Sequence, residues 1–176
     1  MSIATTWGTT PKERALSFPC DRFLKGANGA CFRGVTVHAT PTTVFRWLCQ
    51  MRVAPYSYDW IDNFGRRSPQ TLTPGLDELE IGQRVMIGPI VDFERDRHLT
   101  VLMTSRLWGK MAVTYLVVPK SSDRCRVLVK LLVKYPKGPI GWVERLALPW
   151  GDLIMMRRQL WNFKALAEGS ARTGAP

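Results

Sequence analysis

Residues 124–135, RCRVLVKLLVKY, alternate with the two-residue period of a β-strand. Val127, Val129, Leu131, Val133 and Tyr135 share one parity. Arg126, Lys130 and Lys134 share the other, with Leu128 and Leu132 between them. The first set is expected to face a core and the second to be mostly wet. The run stops at Pro136-Lys137-Gly138-Pro139, and the period then changes. Leu153, Met156, Leu160, Phe163 and Ala167 form one apolar stripe, widened by Ile154 and Trp161, which predicts a helical region running toward Glu168. Pro149 and Gly151 are expected to interrupt it, with Asp152 as a fresh N-cap.

Upstream, strand-like runs follow one another closely at Gln83 to Ile87, Ile90 to Glu94, Leu99 to Ser105 and Met111 to Val118. Turn signals stand between them at Gly88-Pro89, Gly109-Lys110 and Ser121-Ser122-Asp123. Such short connections favour an antiparallel meander. Residues 65–80 read as a connecting loop. Before it, Phe32 to His38 suits a first strand, which ends at Thr40-Pro41. There Thr40 caps a helix whose inner face is Val44, Trp47, Leu48 and Met51. That helix ends near Arg52, because Pro55 cannot donate inside it. At the N-terminus, Thr10-Pro11-Lys12-Glu13 has the form of a capping box opening a short helix before Pro19, and residues 21–30 read as a loop. The expected organisation is an N-terminal arm over residues 1–30, one domain over 31–168 and a flexible tail over 169–176. The class is α+β: a curved antiparallel sheet wrapped around a long C-terminal helix, with a cavity between them.

A chain of 176 residues, 45% of them apolar, suffices for one packed core. Its formal charge of +11 raises the question of nucleic acid or an anionic surface. Between Arg97 and Gly151 there are ten Lys or Arg against two acids, Asp123 and Glu144. No helix-turn-helix turn, zinc finger or RNA-binding aromatic signature accompanies the excess, so no specific nucleic-acid site is expected and the basic residues read as a solvated face. Cys20, Cys31, Cys49 and Cys125 are widely spaced, as free thiols of a reducing compartment would be. With His38 and His98 far apart, no metal site is expected. The first residues, MSIATTWGTTPKE, lack a basic segment followed by an apolar one, and no run approaches the roughly 18 apolar residues of a membrane span. A cytoplasmic protein without a transmembrane segment or cofactor, monomeric or homodimeric, is expected.

Residues 55–64, PYSYDWIDNF, gather rings and acids directly behind the first helix. Together with WGTTPKE, VTVHATPTTVFRWLCQM, LEIGQRV and DLIMMRRQLWNFKALAE, the YSYDW within it makes the chain resemble the SRPBCC (START-like, birch-pollen-allergen-like) superfamily. Within that superfamily the likeness is to the bacterial polyketide cyclase/dehydrase-type proteins. The chain departs from that group at Val53-Ala54-Pro55, at Gln83, and at Met156, Gln159 and Asn162, all near the expected pocket.

The resemblance implies a helix-grip fold holding a hydrophobic or amphipathic ligand, polyketide- or lipid-like, between the sheet and the last helix. Tyr56, Tyr58, Asp59, Trp60, Arg106, Trp108, Tyr115 and Met155 are the candidate lining residues. An alternative is a cyclase or dehydratase in which Asp59 works with Tyr58 or Tyr56 as acid and base. The favoured reading of Asp59 is nonetheless structural, as a short-helix cap or turn acceptor, that of His98 a solvated turn histidine and that of Arg106 an outward arginine. A further alternative is an interaction protein whose basic face, carrying Arg126, Lys130 and Lys134, makes a weak contact with an acidic partner or anionic membrane.

Overall fold

The computed structural model describes residues 2–85, 87–105 and 109–173. The alternating run at residues 124–135 becomes β6 (Arg124–Lys134). Ahead of it stand β2 (Arg84–Val85), β3 (Gly88–Glu94), β4 (His98–Ser105) and β5 (Gly109–Ser121), each antiparallel to the next. β1 (Gly29–Val37) pairs with the far side of β6, giving one six-stranded sheet in the order β1-β6-β5-β4-β3-β2. Register follows parity. Tyr115 lies opposite Val129, and Val129 opposite Arg33, so one face collects Val127, Val129, Leu131 and Val133 with Val113, Tyr115 and Val101. This is the α+β helix-grip arrangement, with a curved antiparallel sheet around a C-terminal helix.

Two helices cover the inner face. α4 (Pro41–Cys49) starts where Thr40 accepts from the Thr43 N–H at 3.2 Å and Pro41 takes the first position. Its Val44, Trp47 and Leu48 are buried, as is Met51 in the 3-10 turn Gln50–Arg52 that follows. α6 (Pro139–Thr173) runs 35 residues without the break expected at Pro149 and Gly151, and it extends past Glu168. A proline removes only one backbone donor. Here the Pro149 carbonyl also accepts from Arg33 Nη2 at 3.1 Å, which holds that turn against the sheet. Asp152 is therefore an interior helical residue rather than an N-cap.

The N-terminal segment forms α1 (Ile3–Thr6), α2 (Pro11–Arg14) and α3 (Cys20–Phe23). The capping box at Thr10 and Glu13 closes at 3.2 and 2.9 Å. α3 occupies part of the stretch expected to be loop. Its Asp21 carboxylate accepts the Phe18 N–H at 3.2 Å, which starts the turn. The segment crosses β1 where Gly8, at φ 73°, faces Gly34: a Cβ on Gly8 would lie 2.1 Å from the Gly34 carbonyl oxygen.

The outer face of the sheet is not the wet surface that parity suggested. Phe18, Cys20 and Leu24 cover Ala112, Leu128 and Leu132 in a second small core. Lys130 pairs with Asp21 at 2.6 Å and lies over the Phe18 and Phe32 rings, while Arg126 pairs with Glu13 at 2.8 Å. The Arg126 guanidinium in turn holds Glu13 below its ordinary value against the opposing effect of burial. Two of the three cations of the expected interaction face are thus spent on the molecule's own arm. The physical reason is that leucines at 128 and 132 need cover, and the chain supplies it from its own N-terminus.

Candidate functional site

A pocket of about 580 Å³ opens between the inner face of the sheet and α6. Met103, Met111, Val113, Val129 and Leu131 line it from the strands, and Leu148, Met155 and Met156 from the helix. Its polar wall holds Arg33, Asp152, Tyr115, Gln159, Ser57 and Asp62.

Arg33 is the least expected of these, being a charged residue at an inward position of β1 that is 1% exposed. Burial of a guanidinium is tolerated only with partners. Arg33 Nη1 donates to the Phe32 carbonyl at 2.9 Å and Nη2 to the Ala4 carbonyl at 2.7 Å, besides the Pro149 bond. Nη2 also meets Asp152 Oδ2 at 2.6 Å. That contact is Coulombic and off the hydrogen-bonding line: among the described residues, Arg33 Nε and Asp152 Oδ2 are buried without a hydrogen bond. Burial pushes the Asp152 carboxyl up to about 6, with the nearby Arg33 charge opposing the rise.

Tyr115 and Gln159 make the opposite kind of polar pair, closed and satisfied. The Tyr115 hydroxyl donates to Gln159 Oε1 at 2.8 Å, and Gln159 Nε2 donates to the Pro55 carbonyl at 2.6 Å. Burial, then the Asp152 charge, lifts the Tyr115 hydroxyl well above its ordinary range, so it stays a neutral donor. One turn along α6, Asn162 Nδ2 donates to the Tyr56 carbonyl at 2.8 Å. Gln159 and Asn162 therefore clamp Pro55 and Tyr56. This clamp holds Tyr56 in the left-handed region at φ 57°.

The other members of PYSYDWIDNF turn elsewhere. The Tyr56 ring packs edge-on to Trp47, with centroids 6.1 Å apart, and tilted on Phe163 at 5.2 Å. Its hydroxyl is buried without a partner among the described residues and is pushed up to about 12, mainly by burial and then by Asp59. Tyr58, Asp59 and Trp60 lie in a second pocket, of about 570 Å³, with Arg67, Ser68 and Arg158. Asp59 starts the short helix α5 (Asp59–Asp62). Both its carboxylate oxygens are engaged, Oδ1 by the Ser68 hydroxyl at 2.5 Å and Oδ2 by the Ser68 N–H at 2.9 Å. Asp59 and Tyr58 are therefore set apart from Tyr115 and Met155, which line the first pocket. Asp62, a member of the same stretch, does line it, and burial raises its carboxyl above the ordinary value. Arg106 and Trp108 lie outside the described residues.

His98 is an ordinary strand residue, with Nε2 at 3.1 Å from Asp92 Oδ2 on the neighbouring strand. The four cysteines are buried free thiols, and burial pushes Cys31 up to about 11. Among the described residues no cluster of ligands has metal-binding geometry, and no helix is long and apolar enough to cross a membrane.

Comparison with solved structures accounts for this architecture. A hypothetical protein from Helicobacter pylori superposes with a TM-score of 0.52 at 15% identity, covering 87% of this chain and 96% of that one. A protein from Mesorhizobium loti does so at 0.51 and 11% identity, over 81% and 98%. A START superfamily protein from Mycobacterium smegmatis stands at 0.46 and 12%, over 83% and 99%. The chain shares its helix-grip fold with the first two of these structures. No family model and no curated protein sequence matches it. Identities this low carry the fold alone. In this helix-grip chain the chemistry must be read from its own residues, chiefly Arg33 and Asp152.

Proposed function

We propose that the chain binds an amphipathic small molecule in the pocket between sheet and α6. The apolar body of the ligand lies against Met103, Met111 and Met155, and its polar end against Arg33 and Asp152. One observation carries this reading. Arg33 and Asp152 line a mostly apolar pocket of about 580 Å³, and among the described residues a donor, Arg33 Nε, and an acceptor, Asp152 Oδ2, are buried there without a hydrogen bond. A buried polar atom without a partner costs about 1–3 kcal/mol, so a ligand hydroxyl that donates to the carboxylate and accepts from Nε is favoured there. Pockets of a few hundred cubic ångströms with few polar groups are the usual small-molecule sites, and methionines adapt to ligands of irregular shape.

The test uses N-phenyl-1-naphthylamine as a fluorescent probe, displaced by 1-decanol or by decyl methyl ether. The alcohol is expected to displace it about tenfold better than the ether, and Asp152→Leu is expected to erase the difference. Equal displacement by the two in the unaltered protein would remove Asp152 as the polar anchor.

The catalytic alternative moves with the geometry. Asp59 is engaged by Ser68, whereas Asp152 faces the pocket with a carboxyl raised toward neutrality, as an acid/base group needs. In a cyclase or dehydratase reading the acid/base partner is then Asp152. Asp152→Asn would keep binding and lose turnover, while Asp59→Asn would leave turnover intact.

A further inference from the structure

α6 is apolar on two sides. One side carries Leu153, Leu160, Phe163 and Ala167 into the core. On the other, Val143, Leu146, Trp150, Ile154 and Trp161 recur at helical spacing, each at least 50% exposed. α5 and the turn after it continue this stripe: Trp60 is 76% exposed and Phe64 96%. Tyr58 joins the two, sharing one groove with Ile154 and Trp161 and another with Trp60. Phe64 holds a left-handed backbone at φ 52°, beside the exposed Arg66 and Arg67. A large ring presented fully to water on a strained backbone gains the free chain nothing, and a contiguous apolar surface of this kind marks an interaction site.

The exposed charge on this face is basic, while Asp59 and Asp62 of α5 are half-buried and Asp59 is bound by Ser68. Along α6 the exposed charged residues are Arg145, Arg157, Arg158 and Arg172. Of its acids, Glu144 is buried, Asp152 faces Arg33, and Glu168 is bound by Lys164. We propose that this face docks on an anionic lipid bilayer, with Trp150, Trp161 and Phe64 at headgroup depth and Arg157 and Arg158 on the phosphates. Tryptophan favours that depth, and basic residues add attraction to anionic lipid. A second copy of the chain suits the face less well, because a two-fold contact repeats the same exposed arginines on both sides. Gly151 and Met155 of the pocket adjoin Trp150 and Ile154 in the chain, so docking sets the helical side of the pocket beside the bilayer.

Flotation with phosphatidylcholine vesicles, with and without one quarter phosphatidylglycerol, tests this. The protein is expected to float only with phosphatidylglycerol, with a blue shift of tryptophan emission, and to be released by salt. Trp150→Ser/Trp161→Ser and Phe64→Gly should each weaken binding by about threefold or more, and Arg157→Glu/Arg158→Glu by about tenfold or more. Lys120→Glu/Arg124→Glu changes net charge equally at the β5–β6 turn and should stay within about twofold. No flotation on either vesicle would overturn the proposal. So would equal loss in the Lys120/Arg124 variant, which would reduce the effect to net charge. Self-association lost in Trp150→Ser/Trp161→Ser, with vesicles unbound throughout, would assign the face to a second copy instead.

Discussion

Arg33 and Asp152 are each a single residue out of place, one on an inward strand position and one inside a helix, and their energetics have a definite sign. The Asp152 carboxyl, at about 6, stands above its ordinary value of 3.8, so the folded chain retains a proton that the unfolded chain has released. Stability from this group is fully present below the ordinary value and is lost as pH rises through about 6. Asp152→Asn cannot titrate and lacks that slope. Relative to the unaltered protein, its urea-unfolding free energy should rise between pH 4 and 7 by on the order of 2–3 kcal/mol. A relative fall would mean that the carboxylate is held charged, as a well-aligned ion pair would hold it. From the sequence neither residue reads as part of a site, and Asp152 reads there as an N-cap. Arg33 shares the inward parity of Cys31 and Val35, and Asp152 sits beside the Leu153 stripe. Opposite charges at core-facing positions of two elements were therefore visible separately, but only tertiary contact makes them a pair. Asp59 is the converse case. Its neighbours in PYSYDWIDNF suggested chemistry, whereas Ser68, nine residues on, takes both of its oxygens.

At the scale of elements, the strands and α4 were legible because period and caps agree locally: alternation in β6, and Thr40-Pro41 ahead of a 3.6-residue stripe. α6 was less so. Pro149 and Gly151 read as a break, but the helix continues because its buried side packs on β1 and α4 and the Pro149 carbonyl is held by Arg33. The cover over Leu128 and Leu132 was not legible either, since nothing local to β6 says which segment lies on it. That cover makes a prediction. Phe18, 2% exposed, packs edge-on to Phe32 with centroids 6.1 Å apart and lies under Lys130. Phe18→Ala should cost about 3–4 kcal/mol if the arm stays docked. If the arm releases instead, the loss is smaller and limited trypsin digestion should cut first at Arg22 or Lys25. Cleavage that begins within β5 or β6 would contradict an arm that docks as a separate layer.

At the scale of the molecule, three layers divide the work: the arm seals the outer face, the sheet holds the register, and α6 closes the inner face while leaving space beside Met155 and Met156. The space exists because Gln159 and Asn162 fix the Pro55–Tyr56 backbone against α6, with Ser57 tied to the Met155 carbonyl at 3.1 Å. The packing surplus that would fill a solid core is thus held off by hydrogen bonds rather than by bulk. Val113 faces this space from β5 and is 5% exposed, so an added ring there extends into the pocket rather than into a neighbouring layer. Native mass spectrometry of the purified chain and of Val113→Phe, each titrated with N-phenyl-1-naphthylamine, measures occupancy directly. The unaltered protein is expected to carry a co-purified mass or to take up one probe molecule per chain, and Val113→Phe, with unchanged circular dichroism, to take up none. An unaltered protein that carries nothing and takes up no probe, or a filled variant that binds as well, would contradict a ligand site between the sheet and α6.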